Sequence, residues 1–175
     1  MSYELAKIGK ICIFDSIKKL KPMKNFFFIT LFLGSFLNAQ SYYKKISDKN
    51  INTERQTIAK NFIQEFLNKC ENKNYTSFEK FNVAKKFEMF LDDKLSYICQ
   101  KNETDLGKIE LQDFNSAYIH KTSLTTDPVE LFIFNAKTEK NPDIQFLSVW
   151  IYQDRNYISG MVITKEKPIN PNKRE

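Results

Sequence analysis

Between Gly107 and Lys165 the chain repeats one pattern, an apolar run closed by a polar reversal, and this block constrains the fold more than any other stretch. Three reversal signals divide it: Thr125-Thr126-Asp127-Pro128, Lys140-Asn141-Pro142-Asp143 and Gln153-Asp154-Arg155-Asn156. Pro pre-sets φ for a turn, and Asn and Asp bond their own backbone two residues on. The runs between are rich in β-branched and aromatic residues, which suit a pleated surface. Val129 to Ala136 sets Val129, Leu131 and Ile133 on one face and Phe132, Phe134 and Ala136 on the other. Ile144 to Tyr152 repeats this, with Ile144, Phe146 and Trp150 against Leu147, Val149 and Ile151. Strands apolar on both faces are expected at the centre of a sheet, covered on both sides.

The outer two runs are more mixed. Gly107 to His120 alternates Ile109 and Leu111 with Lys108, Glu110 and Gln112, and the parity slips at Asp113-Phe114, the mark of a β-bulge. Tyr157 to Thr164 carries Gly160 in its middle, where a strand bends. Short reversals make neighbours antiparallel, because a parallel crossover needs about a dozen residues or more. The block therefore predicts a four-stranded antiparallel, curved meander that needs a partner layer.

That layer comes earlier in the chain. Thr53-Glu54-Arg55-Gln56 fits a capping box with Thr53 as the cap. Ile58, Ala59, Phe62, Ile63, Phe66, Leu67 and Cys70 follow at helical spacing, and the helix is expected to end near Asn72-Lys73-Asn74. Tyr75 to Phe81 is read as a short extra turn of helix. Val83, Ala84, Phe87, Phe90, Leu91, Leu95 and Ile98 mark a second amphipathic helix ending near Cys99 or Gln100. The expected class is α+β, two N-terminal amphipathic helices packed on the sheet.

The first residues read as delivery. Met23-Lys24-Asn25, the apolar run Phe26 to Leu37 and Asn38-Ala39-Gln40 follow the secretory plan of basic start, apolar stretch and small residue before polar sequence. They resemble leaders of secreted proteins of Gram-negative bacteria, with cleavage after Ala39. The apolar run would span about 18 Å as a helix, short of roughly 30 Å of hydrocarbon. Residues 1–22 read as an extension upstream of a start at Met23, the alternative being an unusually long basic leader, and 23–39 as the signal peptide. Residues 40–52 are a polar lead-in, 53–165 a single domain and 166–175 a flexible tail. The expected location is periplasmic or secreted, with membrane contact only through the leader during export. The alternative is a protein anchored by residues 26–37.

Charge follows from that division. The whole chain has 27 basic and 21 acidic residues. The leader and its extension hold six Lys and two acids, so 21 basic and 19 acidic residues remain, a net of +2. Basic and acidic positions are interspersed, which speaks against a nucleic-acid footprint. After the leader Cys70 and Cys99 are the remaining thiols. An even count in an exported chain predicts a disulfide between them, if the fold brings them together; free thiols are the alternative.

Motifs for chemistry are sparse. Scattered Cys and His residues make no zinc signature, and no phosphate loop or nucleophile elbow is present. No cofactor is implied. His120 is the best candidate for a general base, with Asp113 and Tyr97 as candidates to join it, and Tyr118 beside it. Tyr118, Phe132, Phe134 and Trp150 are candidates for lining a ligand pocket. The order of helix, helix and meander, with Ala59 to Leu67 on the long first helix and Lys108-Ile109 opening the sheet, resembles the nuclear-transport-factor-2-like, cystatin-related cone superfamily. The resemblance implies a bent sheet wrapped on a helix, with a pocket in some members. Some are isomerases or dehydratases, while many are binding or accessory domains. No catalytic set maps onto this chain, so the expectation is a non-catalytic exported module for a small molecule, peptide or envelope protein. The alternative is a small cone-fold enzyme with His120 as base.

Overall fold

The computed structural model describes residues 43–120 and 128–169, which lie in the compact unit Gln40–Glu175. In chain order they form β1 (Tyr43–Lys45), a 3-10 turn at Asp48–Asn50, α1 (Thr53–Glu71), α2 (Lys85–Leu106), β2 (Ile109–His120), β3 (Val129–Thr138), β4 (Phe146–Tyr152) and β5 (Ile158–Thr164). All neighbouring strands are antiparallel, in the order β1-β2-β3-β4-β5. The α+β class expected from the sequence is the one observed.

The sheet has five strands among the described residues, not four, and the helices are not the first elements. β1 comes from the polar lead-in and pairs Tyr43 with His120 and Lys45 with Tyr118. It hid because Tyr-Lys-Lys is too short to show alternation, and lysines on an exposed edge discourage further pairing.

The two faces of β3 separate as its alternation requires. Phe132 and Phe134 are fully buried and belong to the core shared with Ala59, Phe62, Ile63 and Phe66 of α1 and Leu91 and Leu95 of α2. Leu147, Val149 and Ile151 of β4 join them. Phe62 is a hub, its ring 4.9 Å from Phe78, 5.3 Å from Phe81 and 6.2 Å from Phe87. On the second face Leu131, Ile133 and Ser148 are also without exposure. Lys167, just past β5, reaches over the Phe146 ring there, at 5.8 Å.

The bulge expected near Asp113 is present. Register shifts fall between Leu111 and Phe114 and between Phe114 and Ser116. The shifts keep Leu111, Phe114 and Ala117 opposite Ala136, Phe134 and Phe132 on the helix side. A further irregularity sits where Trp150 faces Gly160 but Ile151 faces Ile158, so the bend assigned to Gly160 lies beside an extra residue, Ser159.

Three helix details differ from expectation. The α1 cap is Asn52, whose side-chain oxygen accepts from the Arg55 backbone N–H at 2.9 Å, and Thr53 is already helical. Asn caps at least as well as Thr, so the cap moved back by one residue. Tyr75 to Phe81 is an extended connection with one turn, closed by Phe81 N–H on the Phe78 carbonyl at 3.1 Å. α2 starts at Lys85, because Val83 bridges to Ile158 and the Ala84 N–H donates to the Ile158 carbonyl. It runs past Gln100 to Leu106, where Gly107 at φ 68° ends it. The residues between lack an apolar stripe but contain no helix breaker, and Lys101 and Asp105 pair along them at 2.7 Å.

Cys70 and Cys99 stand at disulfide distance, with Cα atoms 5.0 Å apart. The leader, the Thr125-Thr126-Asp127 part of the first reversal and residues 170–175 lie outside the described residues.

Candidate functional site

The residues proposed for chemistry do not meet. His120 ends β2, opposite Val129, with its ring 4.9 Å from that of Tyr43. Asp113 is exposed beside the bulge on the same strand, and at about 3.3 Å per residue it stands roughly 20 Å away. Tyr97 is on α2, 64% exposed. A general base must lie within hydrogen-bond reach of its proton, directly or through one water, and Asp113 is too far along β2 to meet His120 in that way.

The aromatic candidates divide across the sheet. Phe132 and Phe134 are core. Tyr118 and Trp150 flank Leu131 on the opposite face, where the Trp150 indole N–H donates to the Tyr43 hydroxyl at 3.0 Å. Strand alternation alone forbids the four from lining one pocket. Among the described residues no cluster of His, Cys, Asp or Glu is arranged to hold a metal ion, and no helix is long and apolar enough to cross a membrane.

A concavity on the helix layer brings other residues together. A groove of about 740 Å³ follows the outer side of α1, bounded by the α1–α2 connection and by Asn156 of the β4–β5 turn. From α1 it takes Glu54, Ile58, Asn61, Glu65, Asn68 and Asn72, at intervals of three or four residues or their sum, which places them on one helical face. The far wall adds Lys80, Phe81 and Asn82. Asn156 has φ 54°, a conformation Asn tolerates, and its amide lies 3.4 Å from Glu54 Oε1. Sequence reasoning missed this groove because polar residues on the outer face of an amphipathic helix read as solvated. The available signal was the recurrence of carboxamides at helical spacing.

Lys69 lies in that groove and is 7% exposed. Its Nζ donates to the Thr76 hydroxyl at 2.8 Å, sits 5.1 Å from the centre of the Phe78 ring and is 4.0 Å from Glu65 Oε1. A buried ammonium needs such partners to offset lost hydration.

A smaller hollow of about 280 Å³ opens beside Cys70 and Cys99, walled by Phe66, Leu67 and Ile109. Asn102 Nδ2, from a residue lining it, is buried and has no hydrogen-bond partner among the described residues. Charges that perturb one another lie outside both hollows. The Asp105 carboxylate raises the pKa of Lys101 above its ordinary value, and the hydrogen-bonded Lys165 ammonium holds Asp143 below its own. Both are solvent-exposed surface pairs.

Comparison with known proteins finds no match among family models, curated proteins or solved structures.

Proposed function

We propose that this protein is an exported, periplasmic or secreted, accessory domain that binds a ligand or envelope partner without converting it. The leader-like pattern from Met23 to Ala39 supports export. The observation that carries the binding role is the groove along α1, about 740 Å³, whose wall presents many hydrogen-bonding groups. His120, Asp113 and Tyr97 stand apart from it, which favours binding over an isomerase or dehydratase mechanism. The run of helix, helix and antiparallel meander that follows β1 supports accessory members of the cone superfamily as the proposed relatives.

The test is equilibrium dialysis of the protein against an extract of its own cell envelope, followed by chemical analysis of whatever is retained. A component held by the protein and recovered unchanged, and held equally by His120→Ala, is the expected result. Steady chemical conversion that stops in His120→Ala would return the enzyme alternative.

A further inference from the structure

We propose that the groove along α1 binds a neutral polyhydroxylated chain, an oligosaccharide, with Lys69 as its buried anchor; this rests on the binding role above and names the ligand class. The groove is dominated by carboxamides. Asn61, Gln64, Asn68 and Asn82 line it, and their side chains take no protein partner among the described residues. A carboxamide is both donor and acceptor, as is each sugar hydroxyl, so the two surfaces match without fixed polarity.

Charge points the same way. Glu54 and Glu65 are balanced by Lys69 and Lys80, so nothing there would draw in a polyanion or a polycation. An extended peptide would add main-chain bonds but also needs pockets for alternate side chains. Ile58 and Phe81 are the apolar side chains lining the groove, too few for such a row. Phe81, half-buried and packed edge-on to Phe62, can meet the C–H face of one sugar ring. From Glu54 to Asn72 the wall runs about 27 Å at 1.5 Å per residue, room for several rings in line.

Lys69 supplies the anchor. An ammonium has three donors, and among the described residues one is hydrogen-bonded, to Thr76, while the Phe78 ring lies 5.1 Å to one side and Glu65 is beyond hydrogen-bond length. A ligand hydroxyl placed on the remaining donors makes a charge-assisted bond, stronger than a neutral one. Weak exposed amide bonds thereby gain one fixed point.

The test is a titration of ¹⁵N-labelled protein with cellohexaose, maltohexaose, chitohexaose and, separately, hexa-alanine, following side-chain amide resonances. Saturable shifts at Asn61, Gln64 and Asn68 with at least one sugar are expected. Binding should then weaken on the order of tenfold in Asn61→Ala/Asn68→Ala and again in Lys69→Met. The two Asn positions are exposed on a helix, where Ala is a better helix former, so the double variant folds. Shifts caused at these amides by hexa-alanine alone, or by sugars at another face, overturn the oligosaccharide groove while leaving a binding protein. Silence toward every probe overturns it as well, and retention of nothing in the envelope dialysis would separately remove the binding role.

Discussion

Arg55 and Glu130, 75 positions apart, form a two-pronged ion pair that ties the first turn of α1 to β3. Arg55 Nε donates to Glu130 Oε2 at 2.7 Å and Nη2 to Oε1 at 3.1 Å, and the Gln153 amide also donates to Oε1. Glu130 is 3% exposed although its neighbours along β3, Val129 and Leu131 to Phe134, are apolar. A carboxylate there is tolerable because its acceptor positions are occupied. Removing one partner leaves a buried charge, whereas removing both leaves a gap that apolar groups can fill. Arg55→Met is therefore expected to cost about 3–5 kcal/mol, and Arg55→Met/Glu130→Leu clearly less. Urea unfolding of the single and double variants checks this; equal losses, or a larger loss in the double, contradict it.

Cys70, near the end of α1, and Cys99, in the second half of α2, stand 29 positions apart in sequence. Cross-linking a loop of that length restricts the unfolded chain by roughly 3–4 kcal/mol in the chain-entropy model. Reduction should lower the urea midpoint accordingly, and Cys70→Ser/Cys99→Ser should match the reduced protein. Thiol labelling of both residues in the unreduced native state would show that the bond is not formed.

Gly107 is held by its backbone. Its φ of 68° suits Gly, and a Cβ there would lie 2.7 Å from Glu139 Oε2. That oxygen accepts the Lys108 N–H at 3.0 Å, so it cannot withdraw without losing the bond. Gly107→Ala should destabilise by about 1–3 kcal/mol in chemical denaturation. Gly160, with the Trp150 ring 3.5 Å from an added Cβ and an ordinary φ, should tolerate Ala far better.

Asp143 and Lys165 join the two ends of the β4 hairpins at 2.7 Å. The hydrogen bond to the Lys165 ammonium holds the Asp143 carboxyl below its ordinary pKa of 3.8. Its folded value is the lower one, so the pair's small contribution is present above 3.8 and is lost as pH falls through the folded pKa. Carboxyl NMR titration should give a midpoint below 3.8 that returns toward it in Lys165→Met. No change in the variant would dismiss the pair.

Residue pattern carried the fold unevenly. Both faces of β3 and β4 were legible because Phe132, Phe134, Leu131 and Ile133 alternate without a break, and the bulge near Asp113 announced itself as a parity slip. β1 was not legible: Tyr43 to Lys45 has no apolar pattern and is placed by its pairing with the end of β2. The last turns of α2 were lost for a similar reason, since they rest on the Lys101–Asp105 ion pair and on Gly107. The candidate site was almost invisible. Aromatics drew attention, yet strand alternation sends Trp150 and Phe132 to opposite faces. The groove is built from Asn and Gln positions that resemble any solvated helix until the connection through Phe81 and Asn82 rises beside them.

The central claim, an exported domain that holds a ligand, is tested most directly by a native mass spectrum of the protein recovered from its own cells after fractionation. The expected spectrum comes from the periplasmic or secreted fraction. It shows a polypeptide beginning at Gln40, together with a heavier non-covalent species that returns to the same polypeptide mass on gentle activation. A polypeptide that retains residues 26–37, recovered with the membranes and carrying nothing, would contradict export and binding together.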